Sequence, residues 1–209
     1  MKNIAVFATG RGTNFKSLLQ AERQGLFSGN IALCIAGREG IGAADIAAAH
    51  AVPVRVADHR HFDHPDAYTR HIEHILAEFN IEFILLAGWL RAIPASLIAK
   101  YPNKIINIHP ALLPFFGGKG MYGMHVHRAV WQSGMLVSGV TIHFVDELYD
   151  HGTIIAQEAV ALQPTDTPEK IAERVLEVEH HLYPATLKRL LEVPYRIEKN
   201  RVIFEQENR

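Results

Sequence analysis

The feature that most restricts how this chain can fold is an alternation. Short runs of β-branched and apolar residues, "NIAVFA", "NIALCIA", "VPVRVA", "EFILLAG" and "KIINIH", are separated by stretches with one apolar and one polar face. The runs have the composition of buried strands. The segments between them, 13–24, 42–50, 65–78 and a short one at 94–100, have the spacing of amphipathic helices. This β-α-β-α order predicts an α/β fold: a doubly wound, mostly parallel sheet covered by helices on both faces. Past Pro110 the order changes. A glycine-rich loop, "FFGGKGMYG", leads to a short helix at 126–132, and "SGVTIHFV" and "GTIIAQEAVAL" then read as neighbouring strands, antiparallel across a turn. A long helix at 167–192 begins on "TPEK", where Thr167 can cap it and Pro168 occupies the first turn. "YRIEKNRVIFE" reads as a terminal hairpin, with no functional role legible in it. No internal repeat or low-complexity linker divides the chain, so the expectation is one domain over 1–209.

Charge and composition narrow the partners. With 21 basic and 22 acidic residues and no long run of one sign, the chain lacks the electrostatic footprint of a nucleic-acid or anionic-membrane binder. Small-molecule substrates are the expectation, and a homodimer stays open. The one cysteine, Cys34, lies in an apolar run and reads as a buried, inert thiol. The N-terminus lacks the layout of a signal peptide and no segment has about 18 consecutive apolar residues, so a cytoplasmic protein is expected.

Three motifs carry chemistry. "INIHPALLP" (106–114) sets Asn107 and His109 two apart in an apolar strand, so both project to one face while Ile106 and Ile108 take the other. Pro110 then stops the strand, which presents two polar groups at a strand end, where open α/β sheets keep their ligands. The plainer alternative is a satisfied polar pair. "DELYDHG" (146–152) follows a predicted strand with several carboxylates, one of which could reach the histidine. A carboxylate beside an imidazole orients it and favours its charged form, as acid–base work near neutral pH requires. "TGRGTN" (9–14) lies between the first strand and the first helix, where glycines allow close backbone approach and helix amides face an anion. Phe15 stands where a dinucleotide fingerprint needs its third glycine, so the loop suits one phosphate rather than a pyrophosphate.

Thirteen histidines make chance clusters common. "DHRHFDHPD" and "HVH" match no recognised zinc spacing, and the first reads as a polar loop-to-helix segment with solvated histidines. No metal site is therefore expected. "GGKG" (117–120) lacks the rest of a P-loop and reads as a mobile active-site loop.

Together, "GRGTN", "LLAGWLRAIP", "INIHPALLP" and "HFVDELYDHG" resemble the glycinamide ribonucleotide formyltransferases of purine biosynthesis, in order over residues 1–192. The resemblance implies a Rossmann-like formyltransferase fold. It also implies transfer of a formyl group from the cosubstrate N10-formyltetrahydrofolate to the amine of glycinamide ribonucleotide, without a metal. On the same footing it implies a catalytic Asn107, His109 and Asp150, a substrate-phosphate loop at Gly12, Thr13 and Asn14, and a ribonucleotide-side Glu179 in "EHHLYP". Leu90, Arg91, Ala92 and Ile93 match the segment lining the folate and formyl pocket. Two departures stand out: Pro65 occupies the position of a folate-side arginine in some members, and the loop at 114–125 is longer than in the shortest ones. Methionyl-tRNA formyltransferases and formyltetrahydrofolate hydrolases share the Asn-x-His chemistry but are expected to carry a further domain and, for the former, a basic surface. A non-catalytic folate- or nucleotide-binding module is the alternative from another class.

Overall fold

A computed structural model describes residues 1–205; the last four residues of the expected 1–209 domain lie outside the described residues. The chain divides into two compact units, 1–106 and 107–209.

The first unit carries strands β1 (Lys2–Ala8), β2 (Gly29–Ala36), β3 (Val54–Val56) and β4 (Phe83–Leu86). β1 pairs in parallel with β2 and with β4, and β2 with β3. Helix α1 (Thr13–Arg23) follows β1, α2 (Gly42–Ala49) follows β2, α3 (Pro65–Glu78) follows β3 and α4 (Ala95–Lys100) follows β4. Ile4 to Ala8 are wholly buried, as a central parallel strand covered on both faces should be. α1 buries Phe15, Leu18 and Leu19, the i, i+3, i+4 stripe of an amphipathic helix. The order β3-β2-β1-β4 means the chain winds outward through β2 to β3, then returns past β1 to β4. Right-handed crossovers then put α1 and α2 on one face and α3 on the other. In agreement, α1 touches α2, and α3 touches α4. Cys34 is buried in β2 and burial pushes its thiol up to about 12, so it is inert as a nucleophile.

Strand β5 (Ile105–His109) runs out of the first unit into the second, which holds α5 (Met124–Ser133), β6 (Val137–Phe144), β7 (Ile154–Ala161) and α6 (Pro168–Glu192). β6 and β7 are antiparallel. The full strand order is β3-β2-β1-β4-β5-β6-β7, a mostly parallel seven-stranded sheet. α5 is longer than its sequence pattern, because Gly123 and the left-handed Gly134 bound it rather than the apolar residues. α6 begins as expected: the Thr167 hydroxyl accepts from Lys170 N–H, with Pro168 in the first turn. Its residues Ile171, Val175, Glu179 and Tyr183, four apart, are all buried.

The terminal hairpin is also present, as β8 (Tyr195–Glu198) and β9 (Arg201–Phe204). Its two-residue turn, Lys199 and Asn200, has both residues left-handed, the twist-matched geometry for joining strands. Tyr195 stacks on Phe144, and the Arg189 guanidinium lies over Phe204 at 3.9 Å. Among the described residues no helix is long and apolar enough to cross a membrane.

Candidate active site

In the first unit the C-terminal ends of three strands are tied together. Thr9 donates to Gly88 O through both its N–H (3.2 Å) and its hydroxyl (2.6 Å), while Gly37 N–H donates to Ala8 O at 2.9 Å. β1 and β4 are neighbours whose connections leave in opposite directions. That switch point is where open sheets of this kind bind ligands. The turn after β1 holds Gly12, Thr13 and Asn14, and the irregular segment after β4 holds Leu90, Arg91, Ala92 and Ile93. Gly12 is the α1 N-cap at φ 79, and a Cβ there would stand 2.8 Å from Ala43 Cα. Packing on α2 and left-handed backbone therefore both demand this glycine, in addition to any approach of a ligand. Ile93 is buried, Leu90 and Ala92 are exposed, and the Arg91 side chain is 26% exposed.

The second unit assembles a polar cluster. Asn107 and His109 share a face of β5, and His143 comes from β6 at an irregularity in the β6–β7 register between Ile142 and His143. Such bulges re-aim a side chain. Asp150 comes from the turn between β6 and β7, itself left-handed at φ 54. Asn107 Nδ2 is 3.1 Å from His143 Nε2 and donates to Asp150 Oδ1 at 3.3 Å. The other carboxylate oxygen, Oδ2, accepts from Gly118 N–H at 2.9 Å and lies 3.5 Å from His109 Nδ1. His109 Nε2 is 2.9 Å from the Phe116 carbonyl.

These contacts fix proton positions. A carbonyl only accepts, so His109 carries its hydrogen on Nε2; likewise His143 Nδ1, 2.8 Å from Phe144 O, is a donor and its Nε2 accepts from Asn107. Burial lowers the pKa of His109, with Asp150 and the Phe116 hydrogen bond pulling the other way. Asp150 ends below the ordinary carboxylate value: burial pushes it up, but the neighbouring His143 and His109 imidazoles and the Gly118 amide together outweigh burial. His127, on α5, is buried and pushed down to about 4, first by burial and then by His109.

The structure thus brings Asn107, His109 and Asp150 together, and the loop "GGKG" supplies one of their partners, Gly118. Asp146 does something else: it pairs with the exposed His151 at 2.8 Å and accepts from Leu148 N–H. Glu179 is buried on α6. Among the described residues no group of three or more His, Cys, Asp or Glu side chains is arranged to hold a metal ion. His143 was missed by sequence reasoning, although a histidine set between Ile142 and Phe144 in a strand-like run was the available signal. In "DHRHFDHPD" the histidines His59, His61 and His64 are exposed, as expected, whereas Asp58 is only 2% exposed.

Comparison with known proteins gives one consistent result. A family profile described as "Formyl transferase" matches residues 2–187. Over 183 residues the chain is 43% identical to a protein of Arabidopsis thaliana named "Phosphoribosylglycinamide formyltransferase, chloroplastic", covering 87% of this chain and 63% of that one. It is 35% identical to the Bacillus subtilis phosphoribosylglycinamide formyltransferase over 199 residues, covering 95% of this chain and all of that one. The chain therefore spans about three fifths of the plant relatives and the whole of the bacterial one. Among solved structures, glycinamide ribonucleotide transformylase 1 from Symbiobacterium toebii superposes with a TM-score of 0.92 at 31% identity, covering 99% of this chain and 95% of that one. The phosphoribosylglycinamide formyltransferase from Bacillus halodurans superposes at 0.86 with 38% identity, covering 91% of this chain and 96% of that one.

Proposed function

Because this chain belongs to the formyl transferase family, and within it to the phosphoribosylglycinamide formyltransferases, we propose that it makes formylglycinamide ribonucleotide in purine biosynthesis. The formyl donor is N10-formyltetrahydrofolate and the acceptor is the amine of glycinamide ribonucleotide. The observation that carries this reading is the cluster of Asn107, His109, His143 and Asp150, buried or half-buried and joined by hydrogen bonds and charge contacts.

The chemistry assigns roles. The substrate amine attacks the formyl carbon, the bond from that carbon to folate N10 breaks, and one proton passes from the attacking nitrogen to N10. In between stands a tetrahedral intermediate with a negative oxygen. Asn107 Nδ2 and the His109 ring are the donors for that oxygen, which must take them from the acceptors they now hold, Asp150 and His143 for one and Phe116 O for the other. Asp150 steadies the His109 ring and balances any charge it gains. Holding two substrates together supplies the entropic part of the acceleration. In the first unit, Gly12, Thr13 and Asn14 open α1 and take the ribonucleotide phosphate on helix amides. Leu90, Arg91, Ala92 and Ile93 serve the folate, and Glu179 serves the ribonucleotide.

The two units make one formyltransferase domain. The family profile runs unbroken across residue 106, as does β5, and a single cooperative unfolding transition is the expected behaviour. The enzyme acts on small molecules in the cytoplasm. The test is release of tetrahydrofolate that depends on glycinamide ribonucleotide. Release without the ribonucleotide would mean a hydrolase, and binding of folate without any turnover would mean a non-catalytic module.

A further inference from the structure

The hairpin of β8 and β9 lies beyond residue 187, where the match to the formyl transferase profile ends. A two-stranded hairpin is marginal in water, so this one must lean on the rest of its unit. Two of its contacts meet at one place. The Tyr195 ring stacks on Phe144, with centroids 5.8 Å apart and planes 24° apart, and the Asn200 side-chain oxygen accepts from the Thr153 hydroxyl at 2.5 Å. Phe144 is the last residue of β6 and Thr153 comes just before β7, so one element grips both ends of the turn that carries Asp150.

Those two residues form the neck of the turn. Phe144 N–H donates to Thr153 O at 2.9 Å, and a Cβ on Gly152 would stand 1.9 Å from Phe144 O, so the neck has no slack. Phe144 O also accepts from His143 Nδ1 at 2.8 Å, which links the neck to the polar cluster. Past the neck the turn has little packing of its own: residues 147, 148, 149 and 151 are exposed, and Asp150 sits in the left-handed region at φ 54. A residue in that region persists only where its surroundings hold it.

We infer that the β8–β9 hairpin braces the turn between β6 and β7, with Tyr195 and Asn200 as positioning residues that hold Asp150 within reach of His109. The effect on turnover rests on the function proposed above; the geometry does not. Asn200 has a plainer role as well, since the second residue of a turn of this kind is left-handed, at φ 60 here. Glycine fills that role at least as well, so Asn200→Gly removes the contact to Thr153 without weakening the turn.

Two readouts are taken on the whole chain: kcat with KM, and the NMR titration of His109, assigned by the signal lost in His109→Ala. Asp150 pulls the His109 pKa upward, so a loosened Asp150 must move that titration to lower pH. Asn200→Gly and Thr153→Val should each shift it by a fraction of the Asp150→Asn shift and lower kcat about threefold, with KM nearly kept. Tyr195→Ala, which loses an aromatic pair, should lower kcat about tenfold. Thr153→Ser should restore both readouts. The double variant Asn200→Gly/Thr153→Val should behave as either single one, because both remove the same hydrogen bond. Arg196→Ala breaks the hairpin's own exposed pair with Glu198, 2.6 Å long, and should leave both readouts at wild type. An unmoved His109 titration in both Asn200→Gly and Tyr195→Ala overturns the inference. So does an equal effect of Arg196→Ala, which would reduce the hairpin to a contributor of stability. Should Tyr195→Ala melt early, Asn200→Gly and Thr153→Val decide. A shifted His109 titration in a protein that transfers no formyl group would sink the proposed reaction and leave the brace standing.

Discussion

Thr141 is the hinge on which the segment after His109 is fixed, and replacing it by valine should be costly although the two side chains have nearly the same shape. Thr141 is wholly buried on β6. Its hydroxyl donates to Ala111 O at 2.7 Å and accepts from Leu113 N–H at 3.0 Å and from Gln157 Nε2 at 2.9 Å. Gln157 keeps a second acceptor, Leu113 O, so valine orphans two backbone groups, Ala111 O and Leu113 N–H. At about 1–3 kcal/mol for each buried unsatisfied group, and with some return from no longer burying a hydroxyl, the net loss is about 3 kcal/mol. For a chain of this size that lowers Tm by roughly 6–12 °C. Calorimetry or a circular-dichroism melt reads the shift. Thr141→Ser, which keeps the hydroxyl and loses one methyl, should cost only about 1 kcal/mol. If valine melts within 2 °C or so of wild type while serine melts well below it, the methyl packing matters and the hydrogen-bond argument is wrong.

Four other outcomes are expected. His109→Ala should retain the fold and lose about 100- to 1000-fold in turnover, the usual cost of one charge-assisted donor; near-normal turnover would remove His109 from the chemistry. Asp150→Asn should move the His109 titration to lower pH, since the neighbouring anion is what raises it, whereas Asp146→Asn should leave it alone because Asp146 is tied to His151; an NMR titration of His109 in both variants separates them. Acid should destabilise the protein between about pH 6.5 and 4: His127 is held neutral with its pKa pushed down to about 4, the unfolded chain binds the extra proton in that window, and His109 adds in the same direction. A denaturant midpoint that does not fall across that range, or a slope unchanged in His127→Gln, would contradict this. Gly152→Ala should destabilise the fold and cut turnover, because a Cβ there would stand 1.9 Å from Phe144 O and the turn carrying Asp150 would have to shift; wild-type melting and activity would show that the turn relaxes freely.

Much of the fold and of the site is legible in the sequence. The first five strands and four helices follow from apolar periodicity, because a parallel sheet buried on both faces imprints near-continuous apolar runs on its strands. Asn107 and His109 were legible for the same reason: two polar residues at period 2 break an otherwise apolar run, and only a shared face explains the spacing. Asp150 was harder, since "DELYDHG" offers three carboxylates and the pattern cannot say which one a turn points inward. The structure distinguishes them through backbone, with Asp150 left-handed and Gly118 N–H waiting for its carboxylate. Asp58 and Thr141 were not legible. Each is a polar residue whose burial depends on partners far away or on how a loop folds back, Arg91 for one and Ala111 and Leu113 for the other. A one-dimensional pattern records that a residue is polar but not that it has been satisfied.

The charge state of His109 joins these points to the reaction. The Phe116 carbonyl keeps a hydrogen on Nε2, so in the neutral ring the Nδ1 lone pair faces the Asp150 carboxylate 3.5 Å away. Burial favours that neutral ring, Asp150 favours the imidazolium, and burial prevails, which lowers the pKa. A group held in such a balance changes state when a charge appears beside it. On the function proposed above, attack by the amine creates two: a proton to be shed by the nitrogen and a negative oxygen on the former formyl carbon. Both favour imidazolium, the first by mass action and the second by attraction in a site of low dielectric. The same ring is therefore neutral while the substrates bind, when only the neutral ring can take up a proton, and cationic once the intermediate exists, when its charge is of use. Asp150 makes the second state reachable without making it the resting one, which is why its removal should slow the reaction more than it disturbs binding.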